Sequence, residues 1–182
     1  MIGLKRGIVK LVEYNPKWHL NFEKEAKKLR KVLGRDCVDV QHVGSTAIPG
    51  ILAKPIVDIA LIVPSLKKVR LYQEKLKDIG YELKKNDTRK ERLFFTKGPE
   101  SKRTHYLHIG EIGSGYAEDM ILFRDYLHNH RNEAKKYLAL KEMLAEKYRN
   151  TREIYTAKKS KLIEEVIKKA KKFGRRSKVK VL

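Results

Sequence analysis

The chain lacks several of the devices by which proteins are stapled together or anchored. It carries one cysteine, Cys37, which excludes an intramolecular disulfide and any cysteine-based zinc cluster. That thiol lies among apolar positions at the start of a strand and reads as core. No window approaches the roughly 20 apolar residues needed to span a bilayer, and the N-terminus shows no apolar signal-like region, so the expected location is the cytoplasm. Acidic residues are scarce, 22 against 43 Lys and Arg, leaving a formal net charge of +21 and a pI near 10.0. Such an excess favours polyanionic partners. A thermophile-like, lysine-biased surface gives the same number, so charge alone does not choose between them. No internal repeat or low-complexity segment is present.

What remains is enough for a folded domain. The chain has 182 residues, 41% of them hydrophobic, which fits one domain or one core with an appendage and excludes wholesale disorder. Ile8 to Val12 reads as a short strand or arm. Asn15-Pro16 opens a helix over 16–33, with Trp18, Phe22, Ala26, Leu29 and Leu33 on one face and Gly34 as its stop. Strands follow at 38–43 and 55–63. A helix begins after Pro64-Ser65 and stops at Gly80. Residues 81–84 and 92–96 form a hairpin around Asn86-Asp87. A strand over 103–112 places Thr104, Tyr106 and His108 on one face and His105, Leu107 and Ile109 on the other. From Tyr116 to Phe173 the pattern is helical, in three segments broken near His130 and Asn150. The expected division is a core over 1–115, a helical segment over 116–173 packed on it, and a basic tail over 174–182.

The residues that carry chemistry centre on 42–59. A strand ending in Gly44-Ser45, with small residues such as Thr46 after it, lets backbone N–H groups approach an anion, and the hydroxyl adds a donor. The next strand is apolar except for Asp58, a lone acid that costs several kcal/mol, roughly, if buried without a partner. A phosphate cradle beside a carboxylate is what a magnesium–nucleotide site requires. Lys54 is placed to neutralise Asp58 or a phosphate, or is a solvated loop lysine. Arg103 is a phosphate clamp or an exposed strand-end arginine. Arg124-Asp125 reads as an ion pair locking helix to sheet. The lysines of the last helices read as solvated surface.

His42 to Ile59, reading His-Val-Gly-Ser-Thr-Ala-Ile-Pro-Gly-Ile-Leu-Ala-Lys-Pro-Ile-Val-Asp-Ile, resembles the signature of the GrpB family. Tyr14-Asn15-Pro16-Lys17-Trp18, Thr104-His105-Tyr106-Leu107-His108 and Phe123-Arg124-Asp125-Tyr126-Leu127 resemble its other markers. The resemblance implies an α+β, nucleotidyltransferase-like fold: a mixed sheet with flanking helices and a C-terminal helical segment. In the scheme usual for that superfamily, Gly44 and Ser45 hold nucleotide phosphates and two acids spaced by one residue hold Mg²⁺. A third acid then completes metal-dependent nucleotidyl transfer to an acceptor.

Asp58 fills the first acid position, but the second falls on Ala60, which cannot ligate a metal. Asp58 and Glu111 are therefore the expected metal pair, with His108 as a further ligand or base. The expected ligand is a nucleotide or another phosphorylated small molecule. The competing readings are a binding module that lost its chemistry at Ala60, and a nucleic-acid-binding protein using the lysine-rich helices and Arg175-Arg176.

Overall fold

A computed structural model describes residues 2–85 and 89–179, with side chains through residue 174. The expected turn at Asn86-Asp87 and the end of the expected tail, 180–182, lie outside the described residues.

Five strands make one mixed sheet in the order β1-β2-β5-β4-β3. They are β1 (Asp39–Val43), β2 (Val57–Val63), β3 (Tyr81–Leu83), β4 (Arg92–Lys97) and β5 (His105–Glu111). β2 and β5 are parallel, and every other neighbouring pair is antiparallel. A parallel neighbour requires a long crossover, and here the whole stretch from 64 to 104 supplies it. Residues 8–12 form no strand. The N-terminal segment is tied down by two isolated bridges, Leu4 to Arg103 and Val12 to Ala53.

Side-chain alternation splits the sheet into two faces. Val57, Ile59, Leu61, Val63, Leu107 and Ile109 pack with Trp18, Phe22, Ala26 and Leu29 of α1 (Lys17–Leu33). Asn15 accepts the Lys17 N–H at 2.9 Å, so the helix begins where the Asn-Pro pair sets it. The opposite face carries Asp58, Ala60 and Ile62. Ala60 and Ile62 pack on Ala117 and Met120 of α4 (Tyr116–Asn129).

Between β2 and β3 the expected single helix is two, α2 (Leu66–Leu71) and α3 (Gln73–Asp78). They part at Tyr72, whose hydroxyl donates to Asp36 at 2.8 Å. The C-terminal region holds α4, α5 (Arg131–Lys147), α6 (Arg152–Lys158) and α7 (Ser160–Val179), four helices where three segments are expected. The extra break falls at Lys159, whose N–H bonds to the carbonyl three residues back instead of four. α7 continues six residues beyond Phe173, through much of the expected tail. Arg124 fastens α4 to the sheet by donating to the His42 carbonyl at 2.7 Å and the Gln41 side chain at 3.0 Å, besides pairing with Asp125 at 2.7 Å.

Candidate functional site: a basic cleft around one carboxylate

β1 ends at Val43, in register with Asp58 on β2. Gly44 then turns at φ 70° into a one-turn 3-10 segment, Ser45–Ala47. A Cβ on Gly44 would lie 2.6 Å from Asp58 Oδ2, so only glycine lets the backbone lie against this carboxylate. The Ser45 hydroxyl is 3.3 Å from that of Tyr137 on α5. Thr46 is buried and sits 3.0 Å from His42 Nε2. His42 stacks on Phe22 with ring centroids 5.1 Å apart, and burial pushes its pKa down to about 4, so it is a neutral structural residue.

The sheet register explains what meets Asp58. Asp58 pairs with Tyr106 and Ala60 with His108 across the parallel β2–β5 ladder. His108 therefore lies on the same face, its Nε2 3.4 Å from Asp58 Oδ1. Its Nδ1 is 2.9 Å from the Tyr116 hydroxyl, which also receives a bond from Arg92. Burial pushes the Asp58 carboxyl up, but the His108 hydrogen bond and the charges of His108, Lys54 and Arg152 together hold it below the usual carboxylate range. With its side chain 28% accessible, Asp58 faces the cleft as an anion.

Four basic side chains converge on that anion. Lys54 precedes β2, Lys141 comes from α5, Arg152 opens α6, and Lys159 is the residue at the α6–α7 break. Lys141 is 1% exposed and donates to the Leu52 carbonyl; Lys159 is 8% exposed. Lys159 and Lys54 lie over the same Tyr155 ring, at 4.3 and 5.3 Å from its centroid. Neither amine has a carboxylate within ion-pair distance among the described residues. Arg152 lies over Tyr106 at 5.1 Å, and its buried Nη1 and Nη2 have no acceptor in hydrogen-bonding geometry. Burial, then the charge of neighbouring cations, pushes Lys54 and Lys141 well below the ordinary lysine value; burial, with Arg152 adding to it, lowers Lys159 to about 8. These groups line an open cleft of about 1130 Å³ between the sheet and α4–α7, floored by Phe94, Tyr106 and Phe123.

The structure thus brings Gly44, Ser45, Thr46, Lys54, Asp58 and His108 to one cleft. It does not bring Glu111 or Arg103 there. Glu111 is three residues from His108, so the pleat turns it to the other face, where it accepts the Leu66 N–H at 2.7 Å at the start of α2. This corrects the expected Asp58–Glu111 metal pair. Arg103 is buried, bonds the Gly98 carbonyl and lies 3.5 Å from Glu100. It is a clamp for the β4–β5 connection, not for phosphate. Among the described residues no three His, Cys, Asp or Glu side chains converge as a metal site. Ala60 and the diverted Glu111 leave Asp58 and His108 as the donors, a set that does not fit a two-metal centre.

Sequence reasoning missed Lys141, Lys159 and Arg152. Lys141 stands in the stripe Tyr137-Lys141-Leu144-Tyr148, and Lys159 in Tyr155-Lys159-Leu162-Val166. A lysine on the apolar face of a helix was the available signal.

The five-stranded mixed sheet flanked by helices has a nucleotidyltransferase-like fold, with a Gly-Ser turn at the end of β1 and an acid on β2. The fold agrees: a structure of the Cid1 poly(U) polymerase with Mg 3′-dATP bound superposes with a TM-score of 0.51 at 18% identity, over 74% of this chain and 43% of that one. The chain belongs to the GrpB family, whose profile, described as GrpB protein, matches residues 8–169. The crystal structure of GrpB from Enterococcus faecalis matches with a TM-score of 0.82 and 36% identity, over 90% of this chain and 99% of that one. The glutamate-rich protein GrpB of Alkalihalophilus pseudofirmus is 39% identical over 92% of this chain and 98% of its own. UPF0157 protein YqkA of Bacillus subtilis is 37% identical over 91% of this chain, which spans only about half (48%) of YqkA's length. No described helix is long and apolar enough to cross a membrane.

Proposed function

We propose that the cleft binds a phosphorylated small molecule, a nucleotide or a ligand of similar charge, through its phosphate groups. The observation that carries this reading is the convergence of Lys54, Lys141, Arg152 and Lys159 on a single carboxylate. Burying cations without counter-ions costs stability, and an arrangement that keeps them in a cleft is explained by an anion that completes them. The guanidinium of Arg152, lying against Tyr106, offers donors in the fork that matches phosphate oxygens. Ser45 and the backbone at Gly44 line the same cleft and supply further donors.

Calorimetric titration with ATP, CTP, GTP, UTP and inorganic tripolyphosphate tests it. Binding should be lost in Arg152→Gln with the fold intact by circular dichroism. Absence of binding by every one of these anions would overturn the reading. Nucleotidyl or phosphoryl transfer to an acceptor becomes worth assaying only once binding is established, because Ala60 removes a carboxylate on which the superfamily's metal chemistry depends.

One observation favours a larger ligand as a second reading. A second recess, lined by Lys67 and Arg70 of α2 and by Lys84, shares Arg92, Phe94 and Ser114 with the cleft. A single-stranded nucleic acid lying there would bind with a steep salt dependence, and Lys67→Glu with Arg70→Glu should abolish that binding while leaving mononucleotide binding in place.

A further inference from the structure

We infer that the cleft takes a di- or triphosphate as the metal-free anion, with protein cations standing where a nucleotidyltransferase-like site would hold divalent metal. The inference rests on the phosphate-binding reading and specifies the form of the ligand.

Three independent features point the same way. The positions that would supply further metal carboxylates are spent: Ala60 has no donor, and Glu111 faces away and holds the α2 N-terminus. Asp58 itself is already engaged with His108 at 3.4 Å. The space around it is occupied by basic groups: two lysines that share the Tyr155 ring, a third fixed on the Leu52 carbonyl, and the permanently charged guanidinium of Arg152. A divalent cation entering there meets like charges in a partly desolvated cleft, where repulsion is weakly screened. Mg²⁺ also brings several waters and demands octahedral oxygen ligands, which amines do not offer.

Charge balance selects the ligand's length. Once protonated, Lys54, Lys141 and Lys159 stand with Arg152 around Asp58, the cleft carboxylate whose charge acts on all three lysines; Asp119, also in the cleft, is paired with Lys171 at 2.6 Å. A phosphate monoester carries about −1.5 to −2 at neutral pH and leaves cations unanswered. A di- or triphosphate answers them, and its magnesium complex, with two negative charges cancelled, answers them less well. Asp58 in this arrangement partly offsets the positive charge and repels an incoming phosphate, so it opposes phosphate binding.

The test is calorimetric titration of the whole chain with phosphate, pyrophosphate, tripolyphosphate and ATP, each in EDTA and in excess Mg²⁺, on wild type, Asp58→Asn and Lys159→Gln. Tripolyphosphate and ATP should bind at least about tenfold more tightly in EDTA than in Mg²⁺, and both more tightly than phosphate. Asp58→Asn should tighten binding by about threefold or more, and Lys159→Gln should weaken it by about tenfold. If binding requires Mg²⁺ and Asp58→Asn abolishes it, Asp58 is a metal ligand and the inference is overturned while the phosphate site stands. If none of the four anions binds in either condition, the phosphate-binding reading itself falls.

Discussion

Replacing Lys159 by methionine should make the unliganded protein more stable and the phosphate site worse. The lysine is 8% exposed and its pKa is lowered to about 8. Against an ordinary value of 10.5, that drop corresponds to about 3 kcal/mol held against the charged form. Methionine keeps the buried stem and removes the charge, but gives up the contact with Tyr155 at 4.3 Å, about 1–2 kcal/mol for a desolvated cation over a ring. The net gain is about 1–2 kcal/mol, or a rise in Tm of about 3–6 °C for a chain of this size. The gain has a defined pH window. In the unfolded chain the amine binds its proton more tightly, so wild-type stability climbs as pH rises from about 8 towards the ordinary lysine value of 10.5. The variant's advantage is therefore full below pH 8 and fades above it. Differential scanning calorimetry at pH 7 and 9.5, with and without tripolyphosphate, measures both halves. Ligand at a hundredfold excess over the wild-type Kd stabilises wild type by about 2.7 kcal/mol, and a variant with tenfold weaker binding by about 1.4 kcal/mol, so the gap between the two proteins should narrow or close when ligand is added. A Tm below wild type without ligand, or an equal ligand-induced shift in both, would refute the reasoning.

Gly44→Ala should cost about 2–3 kcal/mol, from a strained φ of 70° and a Cβ 2.6 Å from Asp58 Oδ2, read as a drop in Tm together with lost phosphate binding. Tripolyphosphate binding at pH 8 should take up about half a proton through Lys159 alone, falling to about 0.1 at pH 7; titrations in buffers of different ionisation enthalpy give the number, and a value of zero at pH 8 contradicts it. Glu111→Gln should leave phosphate affinity within about twofold and lower stability by about 1 kcal/mol, since its carboxylate accepts a backbone N–H at a helix start. Loss of binding in that variant with an unchanged Tm would return Glu111 to the cleft.

Much of the architecture is legible in the chain because period-two and helical patterns are clean. The alternation along 103–112 separates His108 from His105, and the lone acid in Ile56-Val57-Asp58-Ile59 marks a residue of the cleft. The same alternation contradicts a partnership of His108 with Glu111, since positions three apart in a strand face opposite ways; end-of-strand position drew attention to Glu111 and pleat parity excludes it. The cations were harder to see for a physical reason. In a chain with 43 Lys and Arg, a lysine inside an apolar stripe reads as one more surface charge, and only packing of α5–α7 with α4 and the 48–52 loop decides that Lys141 is 1% exposed. The breaks at Tyr72 and Lys159 carry no Gly or Pro and so have no local signal. Arg103 failed as a phosphate clamp because its partner, the Gly98 carbonyl, is a loop backbone group that no side-chain pattern announces.

The long connection between the parallel strands bears on when the cleft comes into being. Asp58 and His108 are 50 residues apart, Leu52 and Lys141 are 89 apart, and Ser45 and Tyr137 are 92 apart. At a synthesis rate of about 5–20 residues per second, Ser45 waits several seconds or more for the residue that fixes its hydroxyl. Contacts of such separation form late and slowly, after local helices and the β3–β4 hairpin. Through that interval Asp58 and its apolar strand have no finished neighbours on the α4–α7 side. The nascent chain therefore could not hold the proposed phosphate ligand until the last helices have been made, and such a ligand would act only on the completed fold, as a clasp fastened at the end.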